Sequence, residues 1–345
     1  MIVAVSTVKD TRQRLERWVG RNLANGVDHL VVFVDDADPE VLDWLASTSH
    51  VTPVDSLLWW GDRRPAGLNV RQRINANAVR AIGTVVPGVD WVLHLDSDEV
   101  AVIDRAQLDA LPDSVGAVRL APCEAVSQRD WPNGDVTAFK RLLSEPELSL
   151  LFSLGGIDKA TNNEYFHGHV GGKVAMRPVD RLWIGTHHVV DAQREKQPTF
   201  DAPWLRLLHY ESHTGDEFIR KWTNLATSGP PVRTRGARSD LAAAVRGLVE
   251  LDLPPDDRRE LMLTLFDRHV RDDLDLLSRM GVLLHLDPDS GTHRPLESST
   301  VPSALESMVG ELAGVDKSCF EPGGDVERAR KLLAPAPRRF LQRRG

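Results

Sequence analysis

The sequence predicts an α/β protein: a Rossmann-like mixed sheet flanked by helices, with a helical C-terminal extension. Two features carry this reading. In the first hundred residues, continuous apolar runs such as Leu30-Val31-Val32-Phe33-Val34 alternate with segments of helical spacing. Strands apolar on both faces that alternate with helices belong to a parallel sheet covered on two sides. From residue 239 onward the apolar residues keep mainly to a helical period.

In order along the chain, residues 2–7 read as a first strand. Residues 10–25 place Leu15, Trp18, Val19 and Leu23 at helical spacing, and Gly26 is a helix stop. The run at 30–34 is the second strand and ends in Asp35-Asp36. Residues 39–46 form a short helix with Pro39 in its first turn, and 51–57 a weaker third strand. Residues 71–86 form a helix with Ile74, Ala78, Ile82 and Val85 on one face, and Trp91 opens a fourth strand. The pattern then changes. Residues 117–120, 172–176, 182–184 and 205–208 are short strands with longer polar connections, as in an antiparallel or mixed extension of the sheet. Gly171-Gly172 fits a hairpin turn. Residues 215–226 make a helix that turns Phe218, Ile219, Trp222 and Leu225 inward. Two prolines and three arginines in 230–238 mark a hinge. Residues 239–251 and 256–280 are two further helices, the second with Leu263, Phe266, Val270, Leu274 and Leu277 in one stripe. Residues 286–297 read as irregular.

At 345 residues the chain is long enough for a sizeable core. Its composition, 41% hydrophobic and 27% charged, is that of an ordinary globular protein. The net charge of −8 argues against general nucleic-acid binding. Two distant cysteines, Cys123 and Cys319, make neither a disulfide framework nor a zinc motif, and suit a reducing cytoplasm. The first residues lack the basic start and apolar core of a signal peptide, and no apolar run approaches the ~20 residues of a membrane span. A short basic tail, with Arg338, Arg339, Arg343 and Arg344 around Phe340 and Leu341, reads as a solvated terminus. No membrane contact is expected beyond it.

The chemistry concentrates first at Trp91-Val92-Leu93-His94-Leu95-Asp96-Ser97-Asp98-Glu99, an apolar strand that runs into three carboxylates. Carboxylates this close raise one another's pKa unless a cation lies between them. Hard cations such as Mg²⁺ or Mn²⁺ take oxygen ligands, often together with a diphosphate. In open α/β sheets ligands bind beyond the carboxyl ends of the strands. The strand sets this Asp-x-Asp apart from those at Asp36, Asp273 and Asp287. An acidic turn is the plain alternative. A second concentration is histidine. His167, His169, His187, His188, His209 and His213 are six of the 12 histidines and fall within 47 residues, in company with Lys173 and Lys221. Imidazole ligates transition metals when neutral and pairs with phosphate when charged.

The order of these motifs resembles that of a glycosyltransferase of the GT-A type, in the family-2-like branch near family 92. Lys9-Asp10 with Leu15 and Trp18 resembles the family's opening. The stretch Gly26-Val27-Asp28-His29-Leu30 through Asp35-Asp36 resembles its second strand, and Gln72 with Asn75 and Asn77 its helix. Leu95-Asp96-Ser97-Asp98-Glu99 resembles its acidic motif, although Val100 stands where the family has an aromatic. Gly172-Lys173-Val174 with Pro178, a histidine at 187 or 188, and His209-Tyr210 with Glu217-Phe218 and Lys221 resemble later elements. The likeness covers about residues 1–226 and leaves the helical C-terminal third uncovered.

The resemblance implies a GT-A catalytic domain over residues 1–228, with a nucleotide-binding half (1–100) and an acceptor and metal half (101–228), then a helical extension (239–333) and the basic tail (334–345). It implies that Asp96 and Asp98, with His209, hold Mn²⁺ or Mg²⁺ on the diphosphate of a nucleotide-sugar donor. Asp35 or Asp36 would meet the base or ribose. Thr7, Val8 and Lys9 would line the same pocket. Arg71 and Arg73 are candidates for the diphosphate, with Lys173 and Lys221 as further cations. The base that takes the acceptor's proton would be Glu124 or His187, with Asp158 and Glu211 left open. The acceptor is a sugar, a glycan or a small molecule, and inversion is the expected outcome. Two rival readings remain, a sugar nucleotidyltransferase and a non-catalytic nucleotide-sugar-binding module. The first usually carries a glycine-rich phosphate loop near the first strand, which residues 6–14 lack.

Overall fold

A computed structural model describes residues 1–132, 135–227, 237–295 and 300–334. The chain is α/β. It opens with β1 (Ile2–Val8), α1 (Arg12–Ala24), β2 (His29–Val34), α2 (Pro39–Ala46), β3 (Val51–Asp55) and α3 (Ser56–Trp60). Next come α4 (Leu68–Gly83), β4 (Trp91–His94), β5 (Glu99–Ile103), α5 (Arg105–Asp109), β6 (Ala117–Ala125) and β7 (Ala138–Arg141). They are followed by α6 (Glu145–Ser153), α7 (Asn162–Tyr165), β8 (Lys173–Met176), β9 (Trp183–Gly185), β10 (His188–Val190) and β11 (Phe200–His209). The last elements are α8 (Gly215–Thr227), α9 (Ala237–Glu250), α10 (Pro255–His269), α11 (Leu274–Arg279), β12 (Leu283–His285), α12 (Val301–Glu311) and α13 (Val326–Leu333). No helix among the described residues is long and apolar enough to cross a membrane. The hinge expected at 230–238 falls mostly, and the tail at 334–345 almost wholly, outside the described residues.

Packing divides the chain into two units, each discontinuous in sequence: residues 1–121, 171–205 and 291–345, and residues 122–170 with 206–290. In the first, β3, β2, β1 and β4 run parallel in that order, and β8 adds antiparallel to β4. Residues 117–120 of β6 pair antiparallel with β8. β1, β2 and β4 are buried along their whole length, as their unbroken apolar runs require. The core of this unit gathers Val5, Phe33 and Val92 from the strands, Ile74, Ala78 and Ile82 from α4, and Leu305 and Phe320 from the C-terminal segment. Val85, expected on the buried face of α4, lies past its end and is half exposed. Gly26 follows α1 at φ +117°, and a Cβ there would stand 2.9 Å from the Ile103 carbonyl oxygen. Glycine is therefore required where the chain reverses into β2.

In the second unit, residues 123–125 of β6 pair antiparallel with β7, and β7 pairs with β12. α8, α9 and α10 close a core of Phe218, Trp222, Val245 and Phe266. Sequence periodicity predicts one helix over 256–280, but the chain breaks it after His269. Asp272 leaves the helical path to receive the Ser127 N–H (2.8 Å) and the Lys140 ammonium (2.9 Å). Asp273 then caps α11 by accepting from the Leu276 N–H. A buried ion pair and a cap outweigh helix propensity here. The strands β5, β7 and β12 and the helix α6 were not expected from the sequence.

Candidate functional site

β1 is flanked by β2 on one side and by β4 on the other, so the strand order reverses at β1. Such a switch point opens a crevice at the carboxyl ends of the two strands beside it. Thr7 and Lys9 lie at the end of β1, Asp35 and Asp36 follow β2, and Asp96 and Asp98 follow β4. The structure thus brings these six expected residues to one edge of one sheet.

One face at the start of α4 reaches all three strand ends. Arg71 makes a bidentate pair with Asp35, Nε to Oδ1 at 3.1 Å and Nη2 to Oδ2 at 2.7 Å. Gln72 donates to Asp96 Oδ1 at 2.7 Å. Asn75 donates to the Thr7 hydroxyl at 2.9 Å and accepts from the Trp59 indole N–H at 2.8 Å. The remaining Arg71 nitrogen, Nη1, donates to the carbonyls of Pro65 and Ala66, both at 2.8 Å. Arg71 is buried and holds the edge together. Arg73 points to the C-terminal segment, where Glu321 receives it at 2.6 Å. Lys9 and Asp36 form a loose exposed pair at 3.7 Å.

β4 ends at His94, and a turn of Asp96, Ser97 and Asp98 leads into β5. The Trp18 indole N–H ties that turn to α1 by donating to the carbonyls of Asp96 (3.1 Å) and Glu99 (2.9 Å). Lys173, the first residue of β8, has no exposed surface, and its ammonium stands 2.6 Å from Asp96 and 3.3 Å from Glu99. Burial works against the Asp96 carboxylate, but the adjacent Lys173 charge prevails and holds it down at about 2. Burial, reinforced by Lys173, drives His94 to about 3, so its imidazole is neutral at pH 7. Asp96 and Glu99 therefore face one buried cation, and Asp98 stands in the same turn. Oxygen donors grouped in this way are the kind a hard divalent ion takes. Both Asp96 oxygens are engaged, by Gln72 and by Lys173, and Asp98 is half-buried. His187 joins this unit beside Lys173: its Nδ1 lies 2.8 Å from the Gly172 carbonyl oxygen. A carbonyl only accepts, so Nδ1 carries the proton and Nε2 is the basic nitrogen of the neutral ring.

The second unit holds Glu124, His209 and Lys221. Glu124 has no exposed surface, and it accepts the N–H groups of His167 (2.7 Å) and Gly168 (2.5 Å) and pairs with Lys140 at 2.9 Å. That arrangement fixes a carboxylate in place; it does not present one to a substrate. Lys140, equally buried, also reaches Asp272 (2.9 Å) and the Tyr165 carbonyl (3.0 Å). His209 ends β11, 3.9 Å from Glu124 and 3.7 Å from Glu211. A Cβ at Gly168 would come within 2.4 Å of the His209 ring, so only glycine admits this approach. Lys221 lies on α8 and its ammonium rests on Glu211 at 2.7 Å. His209 and Lys221 thus converge on Glu211. Asp158 is exposed on a loop.

Gln72 and Asn75 were named in the sequence only as part of a motif, with no role. Lys140 and Asp272 carried no local signal, because their partners lie far away in the chain. No protein-family model matches this chain, and no match is found among curated proteins.

Proposed function

We propose that this protein is a metal-dependent glycosyltransferase that moves a sugar from a nucleotide-diphospho-sugar to a sugar, glycan or small-molecule acceptor, with inversion. One observation carries the reading: at the switch-point edge of a parallel sheet, β4 runs into a turn of three carboxylates, two of which meet the buried Lys173. A divalent ion on Asp98, Mn²⁺ or Mg²⁺, would supply the positive charge that a departing nucleoside diphosphate requires. Asp96 keeps Lys173 beside the turn, and Gln72 fixes the Asp96 carboxylate. The resemblance gives His209 and Lys221 roles on the metal and leaving group, and we retain them. His187 is our acceptor base, since its basic nitrogen belongs to a half-buried ring while Glu124 is enclosed. The compartment we assign is the cytoplasm, which suits two buried free thiols, Cys123 and Cys319.

Incubation with a panel of nucleotide-sugars, with Mn²⁺ and then with EDTA, tests this reading. Metal-dependent release of nucleoside diphosphate supports it. Pyrophosphate-dependent turnover would make the protein a nucleotidyltransferase, and binding without turnover a carrier module. Full activity in EDTA would remove the metal from the mechanism.

A further inference from the structure

Asp35 stands at the end of β2, where its N–H donates to the last carbonyl of β1, Val8, at 2.7 Å. It holds two arginines. Besides the bidentate Arg71, Arg64 places Nη2 2.9 Å from Asp35 Oδ2 and 3.2 Å from the Asp35 carbonyl oxygen. The two guanidiniums exceed the carboxylate by one charge. They differ in exposure. The Arg71 side chain is 7% exposed and all three of its nitrogens are engaged, whereas Arg64 is 37% exposed and meets Asp35 through Nη2 alone. The backbone beneath Arg64 is held as well. Arg71 grips the carbonyls of the next two residues, Pro65 and Ala66, and Pro65 confines Arg64 to the extended conformation it has, φ −67° and ψ 118°. A guanidinium fixed through one nitrogen, with its remaining N–H groups turned from its partner, is pre-organised for a bidentate contact with an oxyanion.

We propose that Arg64 binds the phosphate of the nucleotide at this edge, and that Asp35 orients Arg64 instead of accepting a hydroxyl of the nucleoside. The inference deepens the glycosyltransferase reading and rests on it in one respect, that the anion is the donor's diphosphate. The chemistry recognised is a diphosphate, whether free or carried by a nucleoside.

The test is calorimetry on the full chain with a nucleoside diphosphate panel, the matching nucleosides and inorganic pyrophosphate, for the wild type, Arg64→Gln and Arg64→Lys. Arg64→Gln is expected to weaken diphosphate and pyrophosphate binding about tenfold or more, the size of one charge-assisted contact. Nucleoside affinity should stay constant, and the salt dependence of diphosphate binding should flatten. Arg64→Lys should recover only part, because it restores the charge without the planar fork. Arg64 is a surface side chain, and equal thermal unfolding of the variants will verify folding. Unchanged diphosphate affinity in Arg64→Gln, or an equal loss for the nucleoside, overturns the inference. The two readings fail separately. Metal-dependent sugar transfer with an indifferent Arg64 removes only this inference. Arg64-dependent pyrophosphate binding with no nucleotide binding removes the glycosyltransferase and keeps the anion site. A wild type that binds neither removes both.

Discussion

Lys173 is a lysine without exposed surface, and it keeps its charge because Asp96 and Glu99 lie against it. Burial alone would lower its pKa, yet the two carboxylates raise it above the ordinary lysine value. Removing one member of a buried pair leaves the other uncompensated. Lys173→Met should therefore destabilise the fold by about 3–5 kcal/mol, read as a lower urea midpoint with an unchanged slope. A loss below about 1 kcal/mol would mean that water already compensates the turn. Asp272 makes the same argument for pH. Burial disfavours its charge, but Lys140 and then His167 overcome this and hold it at about 2, below the usual 3.8. A depressed folded-state pKa gives stability that is complete above the unfolded value and is lost as pH falls through the folded one. Asp272 should thus contribute about 2 kcal/mol at neutral pH, disappearing between about pH 4 and 2. Asp272→Asn should flatten that part of the acid-unfolding profile; an unaltered profile would show that other carboxylates set it. The residue-level site was only partly legible. Asp96 and Asp98 announce themselves as an apolar strand running into acid, whereas the neutralising Lys173 lies 77 residues away, and no local rule links them.

At the scale of the element, α4 matters most. Its buried face follows from Ile74, Ala78 and Ile82 at helical spacing, which a sequence displays directly. Its polar face does not. Arg71 read as a contact for phosphate, and the structure instead engages it with Asp35 and two carbonyls. Hydrogen bonds to partners tens of residues distant leave no periodic trace. Asn75 is fully buried between Trp59 and Thr7, so Asn75→Ala strands an indole N–H and a hydroxyl. Each stranded group costs about 1–3 kcal/mol. The variant should lose more stability than Gln72→Ala, which strands only one Asp96 oxygen that is half-open to water, and a smaller loss would mean that α4 does not hold the strand end rigidly. The break between α10 and α11 illustrates the opposite failure: a periodic stripe predicts continuity, and an aspartate with a buried partner overrides it.

For the whole molecule, the chain passes between its two units four times, at residues 121, 170, 205 and 290, so neither unit is one continuous segment. Residues beyond 291 return to the first unit. Val301, Leu305, Val309, Leu312, Phe320 and Leu333 are all buried in the core that backs β1, β2 and α4. Lys317 donates to the Trp59 carbonyl at 2.5 Å and lies 4.1 Å over the Trp59 ring, and Glu321 holds Arg73. Burying six such side chains is worth on the order of 10 kcal/mol. That equals the whole net stability of an ordinary domain, about 5–15 kcal/mol. A chain cut after residue 290 should therefore fail to fold cooperatively, even though it retains every strand of the parallel sheet. It should bind a hydrophobic dye and show no sharp thermal transition. Should the shortened chain instead unfold at the midpoint of the full one, the C-terminal segment would be an appendage, and the clamp on Trp59 and Arg73 would not stabilise the edge where Asp35, Asp96 and Thr7 meet α4.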